Sequence, residues 1–330
     1  MKKYAILFLI LPLLLLSCVK EPELEPDTYE GNFRTLWKII DTQYCYLDFK
    51  EIDWDAIYYR YYSRLPVITN ESEFFNLLGD MLSELKDGHV NLYSPFDMSR
   101  YWAWYTAYPP NFNSDIIYSD RYLGKDYKIA GGIRYNKIDG GRVGYIYYGS
   151  FGNGFSGMNY IFDYFSDCQS LIIDVRDNGG GSLNYSEALA SYFFDQDTKT
   201  GYISHKTGPG HSDFSKPVAL MTKAQTDLRW EKPVAVLTNR MSYSATNDFV
   251  NRMKSAPRAI VVGDKTGGGG GMPLSSELPN GWMVRFSACP MFDVEMKHTE
   301  WGIDPDYKVD LDTNDRASDA IIEEAIRLMK

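Results

Sequence analysis

The second half of the chain alternates short apolar runs, typical of buried β-strands, with segments whose apolar residues have helical spacing. This alternation predicts an α/β fold, because neighbouring parallel strands need a crossover helix between them. Strands are expected at 143–148, 170–175, 233–237, 259–262, 274–278, 282–287 and 306–309. Helices are expected at 157–166, 183–194, 245–254 and 318–329. The predicted core is therefore a mostly parallel sheet with helices packed against it.

The residues before this region have a helical pattern instead. Apolar side chains recur at three- and four-residue steps within 33–40 and again within 74–85. The pattern breaks at Gly88. We therefore predict a small N-terminal helical domain at 29–95, followed by the core domain at 96–330.

The first 17 residues have the features of a bacterial export signal. Two lysines precede an apolar run that is shorter than the roughly 20 residues of a membrane-spanning helix. The run ends in Leu-Leu-Ser-Cys, which resembles a lipoprotein processing box. We expect residues 1–17 to be removed and the thiol of Cys18 to be acylated. The alternative is an ordinary secreted protein that is cleaved elsewhere.

Residues 18–28 are acidic and contain prolines, a composition that buries too little apolar surface to offset the entropy of ordering. They are predicted to form a flexible tether. Acidic stretches at this place resemble surface-export signals of some lipoproteins, and a solvated spacer is the alternative. The lipid is then the only attachment to a membrane. We expect the protein in the cell envelope, at the outer membrane, facing the periplasm or the surface.

Charge and cysteine content exclude several classes of function. The formal net charge of −10 disfavours nucleic-acid partners, which need a cationic surface. Apart from Cys18, the cysteines are Cys45, Cys168 and Cys289, and no two of them are closely spaced. We therefore expect no disulfide framework and no metal site, but buried free thiols.

The segment VAVLTNRMSYSATNDFV predicts a nucleophile, because it is a strand that runs through a turn into a helix. A serine in that turn, Ser242 or Ser244, would project its hydroxyl from the sheet edge. The next amide, that of Ala245, would lie at a helix N-terminus, where unpaired N–H groups favour an oxyanion. The alternative is that Ser244 or Ser242 only caps the helix.

The segment LIIDVRDNGGGSLNYSEALASYFF repeats the order strand, turn, helix, with three glycines in the turn. Glycines let the backbone approach a ligand closely. A phosphate-binding loop is the competing interpretation, but the spacing fits neither the dinucleotide fingerprint nor the P-loop. We expect the amide of Gly180 or Gly181 to donate to the oxyanion from the opposite side.

The segment LSELKDGHVNLYSP places His89 after a glycine, where the predicted helices give way to a strand. A histidine there is free to point into a cleft between the two domains. The sequence has only four histidines, so a general base for Ser244 comes from a short list. A purely structural histidine is the alternative.

Three ordered motifs, DVRDNGGG, NRMSYSATNDF and AIVVGDKTGGGGG, resemble the family of C-terminal processing peptidases, tricorn core peptidase and interphotoreceptor retinoid-binding protein. LKDGHV, VGYIYYGSF and WGIDPD extend the resemblance over most of the chain from Phe33 onward. The family implies a ClpP/crotonase-like spiral core, serine-peptidase chemistry, and no metal or organic cofactor. The segment between Tyr93 and Tyr145 is too short for a full PDZ module, so none is expected.

The resemblance also assigns roles to single residues. The nucleophile of the family falls on Ser244, and the oxyanion amides fall on Ala245 and the pair Gly180 and Gly181. The tricorn-like branch has a histidine at the end of the helical domain, and this position is His89. The resemblance and the pattern of the residues therefore indicate the same base.

Two positions depart from the branches of the family. The processing peptidases use a lysine base where this chain has Gly269, and Lys265 lies nearby in a different position, so a Ser-Lys dyad is not expected. The tricorn-like relay also includes a serine, replaced here by Gly88, and a downstream glutamate, for which Glu300 is the nearest candidate. A surface glutamate beside a turn is the alternative for Glu300.

The sequence thus predicts a serine peptidase that acts on peptide or protein substrates. Because of the departures above, a catalytically inactive peptide- or lipid-binding lipoprotein on the same scaffold is the alternative. The many tyrosines and tryptophans also suggest glycan binding, but most fall within helix and strand periods, where core packing explains them. The aromatic stretch 101–108 either covers the cleft or forms a satellite packing cluster.

Overall fold

The computed structural model describes residues 25–330. The predictions for the export signal at 1–17, for Cys18 and for most of the tether lie outside the described residues. Within 25–330, no helix is long and apolar enough to cross a membrane.

The helices of the described chain form an N-terminal group and a group that covers the larger of two sheets. They are α1 (Tyr29–Gln43), α2 (Trp54–Tyr62), α3 (Glu71–Ser83), α4 (Ala103–Thr106), α5 (Ser114–Ile117), α6 (Met158–Tyr164), α7 (Leu183–Ala190), α8 (Ala245–Met253) and α9 (Ala320–Leu328). The first three begin at capping side chains, those of Thr28, Asp53 and Asn70, which accept backbone N–H groups. These caps fix the helix starts, because first-turn N–H groups have no partner within the helix.

The strands of the described chain form two sheets. They are β1 (Asn91–Tyr93), β2 (Lys128–Ala130), β3 (Ile133–Ile138), β4 (Val143–Tyr148), β5 (Ser170–Asp174), β6 (Thr198–Ile203), β7 (Val218–Thr222), β8 (Val234–Thr238), β9 (Ala259–Gly263), β10 (Gly271–Glu277), β11 (Met283–Phe292) and β12 (Tyr307–Lys308). The larger sheet has the order β12-β9-β8-β5-β4-β3-β2. In the smaller sheet β1, β10 and β6 all pair with β11, and β7 pairs with β6.

The larger sheet is parallel from β12 to β4, and only β3 and β2 run antiparallel. The predicted mostly parallel sheet is therefore confirmed. Every residue of β4, β5 and β8 is buried, because helices cover both faces. Apolar residues of α6, α7 and α8 pack on one face, and those of α5 and α9 pack on the other.

The N-terminal helices share a hydrophobic core with the smaller sheet. Phe33 and Leu78 from the helices are in the same buried cluster as Val284 and Phe286 of β11. The strand that follows α3, β1, pairs antiparallel with β11 and is therefore fastened to it. This pairing fixes the position of the residues just before β1, which include His89.

Some elements differ from the sequence pattern. The helix expected at 183–194 ends at Ala190 and continues as the 3-10 turn Ser191–Phe193, while β11 runs on to Phe292. Strands β2, β3, β6 and β7 were not predicted. Two of them, β2 and β7, have mostly exposed or partly exposed residues, so their sequences lack a clear apolar period.

The two turns singled out in the sequence emerge at one edge of the larger sheet. Strands β5 and β8 are parallel neighbours, with Asp174 opposite Leu237. The carboxyl ends of parallel strands lie side by side, and this edge is where open α/β sheets bind ligands. The turn after β5 therefore meets the turn after β8.

Candidate active site

The structure brings Ser244 and His89 together, although 155 residues separate them in the chain. The Nε2 atom of His89 lies 2.9 Å from the Oγ atom of Ser244. His89 is almost fully buried, with 2% of its surface exposed. A neutral imidazole at this distance can accept the hydroxyl proton directly.

Ser244 has an unusual backbone conformation, with φ 59° and ψ −120°. Non-glycine residues rarely adopt this region, and strained residues of this kind are found at functional sites. Ser244 stands at the N-cap position of α8, yet its side chain makes no capping hydrogen bond. The hydroxyl faces His89 instead, so the capping alternative does not describe this serine.

The neighbouring Ser242 has a different role. Its Oγ donates to the carbonyl of Val175 at 2.9 Å and accepts the amide of Asn239 at 3.1 Å. These bonds tie the two turns at the sheet edge together. Ser242 is fully buried and has no contact with a histidine in the described part of the chain.

The glycine turn presses against the serine turn. A Cβ atom on Gly180 would lie 2.6 Å from the carbonyl oxygen of Tyr243 and 2.8 Å from Cβ of Ser244. The φ of Gly180 is +100°, which L side chains rarely adopt. Only glycine therefore permits this close approach of the two backbones.

The three predicted oxyanion donors do not have equal status. The amide of Gly180 donates to Oδ1 of Asn178 at 3.0 Å, so it is already used within its own turn. Among the hydrogen bonds of residues 25–330, the amides of Gly181 and Ala245 donate to no acceptor. Of the three predicted oxyanion donors, Gly181 and Ala245 therefore have amides that are free to donate.

His89 lies in a setting that keeps its ring neutral. Burial lowers the pKa of His89 to about 4, although the nearby charge of Asp87 acts to raise it. Asp87 accepts the backbone amide of His89 at 2.8 Å. Within the described chain, Nδ1 of His89 faces the backbone of Gly271 without a hydrogen bond of normal geometry.

Behind His89 lies a buried cluster of three ionisable groups, which we name the lysine cluster: Lys50, Asp87 and Glu300. The Nζ atom of Lys50 is 2.6 Å from Glu300 and 3.7 Å from Asp87, and all three side chains are at most 3% exposed. Asp87 also accepts the hydroxyls of Tyr44 and Ser287, each at 2.9 Å. One cation thus serves two carboxyl groups.

The carboxyl groups of the lysine cluster differ in their pKa shifts. Burial, together with the charge of Asp87, raises the pKa of Glu300 to about 8. Burial also acts to raise the pKa of Asp87, but the charge of Lys50 and the hydrogen bonds from the amide of His89 and the hydroxyl of Ser287 help to lower that pKa. Asp87 is therefore the member that carries the negative charge near neutral pH.

The structure places Glu300 in the lysine cluster. Among the hydrogen bonds of the described residues, its carboxyl group contacts Lys50 and the amide of Gly270, not the imidazole of His89. Glu300 is buried, so the alternative of a surface glutamate beside a turn does not describe it. The acidic residue that contacts His89 is Asp87, which accepts its backbone amide and which no sequence pattern singled out.

The lysine cluster predicts a large loss of stability when its cation is removed. Lys50→Met should lower the free energy of unfolding by about 3–5 kcal/mol, because the buried charge of Asp87 is left unpaired. Urea denaturation measures this change. Lys297→Met is the matched control, since Lys297 forms an exposed pair with Glu295 and should change stability by at most about 0.5 kcal/mol. Equal effects of both changes would contradict the buried charge.

Two parts of the chain match known peptidase families. Residues 142–309 match the model of peptidase family S41. The chain belongs to peptidase family S41. Residues 25–83 also match the tricorn protease C1 domain, so the N-terminal helices have a counterpart in the tricorn branch.

The chain is similar to a solved structure and to two curated bacterial proteases. A predicted peptidase from Parabacteroides merdae ATCC 43184 has a solved structure with 52% identity and a TM-score of 0.87, covering 92% of this chain and 97% of that chain. The carboxy-terminal processing protease CtpA of Bacillus subtilis is 26% identical over 145 residues, 43% of this chain and 29% of the relative. A CtpA-like serine protease of Staphylococcus haemolyticus is 25% identical over 142 residues, 43% of this chain and 27% of the relative. The chain thus spans less than a third of these two relatives.

More distant solved structures share the fold. Mature CPAF has a TM-score of 0.66 at 13% identity and covers 92% of this chain and 97% of that chain. The tricorn protease has a TM-score of 0.55 at 15% identity and covers 91% of this chain and 36% of that chain. The mixed α/β core with N-terminal helices is therefore an S41 peptidase fold.

Where the S41 processing peptidases have a lysine, this chain has no room for one. A Cβ atom on Gly269 would lie 2.5 Å from the ring of Tyr243. The nearby Lys265 points elsewhere, with its Nζ 3.5 Å from Asp304 at an exposed site. Among the residues described, the imidazole of His89 is the basic group within hydrogen-bond distance of the Ser244 hydroxyl.

The aromatic stretch 101–108 reaches the site through Trp104. The ring of Trp104 stacks on Tyr243 at 4.1 Å between centroids, and Tyr243 in turn lies 4.9 Å from the ring of His89. A Cβ atom on Gly88 would lie 2.6 Å from Nε1 of Trp104. The family serine at position 88 is thus replaced by a glycine over which Trp104 packs.

A cavity of about 280 Å³ opens beside the nucleophile. Its wall includes Ser244, Gly181, Asp248, Arg285 and both apolar and amide side chains. Since Gly181 and Ser244 line the same space, a carbonyl placed there can meet the hydroxyl and a free amide together. The cavity is the candidate substrate site.

Proposed function

We propose that this chain is a serine peptidase that cleaves peptide bonds through an acyl-enzyme on Ser244, with His89 as the general base. The observation that carries the proposal is the 2.9 Å contact between His89 Nε2 and Ser244 Oγ. Membership of family S41 supports the same chemistry. The substrates are peptides or proteins that can enter the cavity beside Ser244 in an extended form.

The proposed reaction has two halves. As Oγ of Ser244 attacks the peptide carbonyl carbon, Nε2 of His89 accepts the hydroxyl proton. The amides of Gly181 and Ala245 donate to the carbonyl oxygen as it becomes negative. The intermediate then collapses, His89 returns the proton to the leaving amine, and an ester remains on Ser244. Water, deprotonated by His89, hydrolyses this ester and restores the hydroxyl.

A catalytically inactive binding protein would not account for the arrangement of Ser244 and His89. A scaffold that only binds peptides or lipids needs neither a strained serine nor a buried neutral base beside it. Strain at Ser244 lowers stability, and such conformations persist where the surrounding structure holds them for function.

Labelling with a fluorophosphonate tests the proposal. This probe reacts with activated serine hydroxyls, and tandem mass spectrometry of the digested protein locates the adduct. We expect one adduct on the peptide that contains Ser244, and cleavage of an unbiased peptide library by unlabelled protein. A native protein that neither forms the adduct nor cleaves any peptide would refute the proposed activity.

The acidity of His89 predicts an unusually broad pH range. With its pKa near 4, the ring stays neutral above about pH 5, so kcat/KM should be constant there and fall tenfold per pH unit below about 4. The charged groups that influence this pKa are Asp87, which raises it, and Arg285 and Lys50, which lower it. A pH–rate profile measures this fall of kcat/KM at acid pH.

The same pKa affects stability, so the profile needs a control for folding. The unfolded chain takes up the proton of His89 near pH 6.5, whereas the folded chain does so near 4, and stability therefore falls as pH drops through this window. Circular dichroism at each pH shows where the fold is retained. An activity loss centred near pH 6.5 in folded protein would contradict the buried neutral ring.

A further inference from the structure

Arg285 is a cation in the wall of the substrate cavity. It lies on β11, is partly buried, and lines the same cavity as Ser244. Within residues 25–330, its guanidinium makes no hydrogen bond and no salt bridge. By contrast, the fully buried Arg176 forms ion pairs with Asp174 at 2.7 Å and with Asp319 at 2.9 Å.

The sheet fixes Arg285 on the same side as the base. In the register of β1 with β11, Asn91 is opposite Arg285, so His89 lies near Ser287. Side chains two apart on a strand share a face, and Ser287 uses this face to donate to Asp87 beside His89. Burial is the main cause of the low pKa of His89, and the charge of Arg285 lowers this pKa further. This effect is consistent with a short distance between the guanidinium and the imidazole.

No carboxylate of the cavity wall neutralises Arg285. The acidic residue of the wall is Asp248, whose Oδ2 accepts Arg252 at 2.8 Å and Ser186 at 2.6 Å. Its Oδ1 is buried without a partner and does not reach Arg285. The charge of Asp248 is thus matched by Arg252, while that of Arg285 is left for a ligand.

We propose that Arg285 is a specificity residue that binds a carboxylate of the substrate close to the scissile bond. This inference rests on the proposed peptidase function and names its substrate class. A guanidinium holds a carboxylate through two parallel N–H bonds, and partial burial strengthens them. The carboxylate comes either from an acidic side chain or from the free C-terminus of the peptide, and the two sources share this chemistry.

The first experiment measures binding without turnover. Fluorescent random hexapeptide libraries are titrated against the Ser244→Ala protein in four forms: with glutamate or with glutamine, and with a C-terminal carboxylate or carboxamide. We expect one carboxylate form to bind about 10- to 100-fold more tightly than its neutral counterpart. The glutamate pair tests the side chain, and the terminal pair tests the C-terminus. Equal affinity of all four libraries would overturn the proposal.

Substitutions at position 285 assign the preference to the guanidinium. In the Ser244→Ala background, Arg285→Gln should remove the preference, while Arg285→Lys should keep part of it, because the charge remains but the two-bonded geometry is lost. Arg316→Gln, an exposed change of the same charge, should leave the preference intact. A preference that survives Arg285→Gln would also overturn the proposal.

A second readout, the pH dependence of kcat/KM, tests whether Arg285 lies close to His89. Removing the charge of Arg285 should raise the pKa of His89, so the acid descent of kcat/KM in Arg285→Gln should move to higher pH. An unmoved descent would contradict the position of Arg285 close to His89, on which the proposal rests. If the protein proves inactive, the proposed function fails, but the binding preference of the Ser244→Ala protein still decides the role of Arg285.

Discussion

Replacing Ser244 by alanine should lower kcat by a factor on the order of 10⁶, because the acyl-enzyme can no longer form. The oxyanion amides and the cavity remain, so a small residual rate above the uncatalysed reaction is expected. The strained conformation of Ser244 is not improved by alanine, which has the same Cβ, so the fold should be retained. Hydrolysis of a cleavable peptide, followed by mass spectrometry, measures the change.

Ser242→Ala is the matched control for this substitution. Ser242 is two residues away, but its hydroxyl holds Val175 and Asn239 rather than facing His89. Its loss should cost about 1–3 kcal/mol of stability, since a buried carbonyl and a buried amide lose their partner. The folded fraction should keep its fluorophosphonate labelling. Loss of labelling in Ser242→Ala with full activity in Ser244→Ala would mean that the nucleophile is misassigned.

Replacing His89 by alanine should lower kcat by a factor on the order of 10⁴ to 10⁶, because the hydroxyl of Ser244 then has no base within reach. Lys50 does not substitute, since Asp87 and Glu300 keep it charged in the lysine cluster. His89→Gln fills more of the buried space and separates loss of the base from loss of packing. His205→Ala, an exposed histidine, should leave the rate unchanged.

The double substitution gives the sharper test. If Ser244 and His89 act as one unit, Ser244→Ala with His89→Ala should be no slower than Ser244→Ala alone. Independent contributions would multiply instead, and a double variant slower by the product of both factors would show that His89 serves some other step. Single-turnover rates on one peptide, measured for all four proteins, complete this cycle.

Ser244 and His89 could be proposed from the sequence because local patterns made both candidates and the family resemblance assigned their roles. A buried strand leading into a polar turn and a helix marks Ser244, and a glycine at a helix-to-strand junction marks His89. The parallel sheet was predictable for the same reason, since β4, β5 and β8 are continuous apolar runs. Each of these features depends on the pattern of a few neighbouring residues.

The lysine cluster was not predictable, because it depends on contacts between distant parts of the chain. Lys50 and Glu300 are 250 residues apart, and neither lies in a segment whose pattern indicates burial of charge. The use of the Gly180 amide by Asn178 depends on the local path of the turn, which a run of glycines leaves open. Strands β2 and β7 were missed because their side chains lack an apolar period.

The two reacting groups belong to different sheets. Ser244 stands at the N-cap position of α8 at the edge of the larger sheet, whereas His89 lies just before β1, the strand that pairs with β11 in the smaller sheet. Proton transfer tolerates a misalignment of only a fraction of an ångström, far less than is needed to unfold either layer. A ligand or partner that shifts the smaller sheet against the larger one would therefore stop proton transfer between Ser244 and His89, while every helix and strand stays intact.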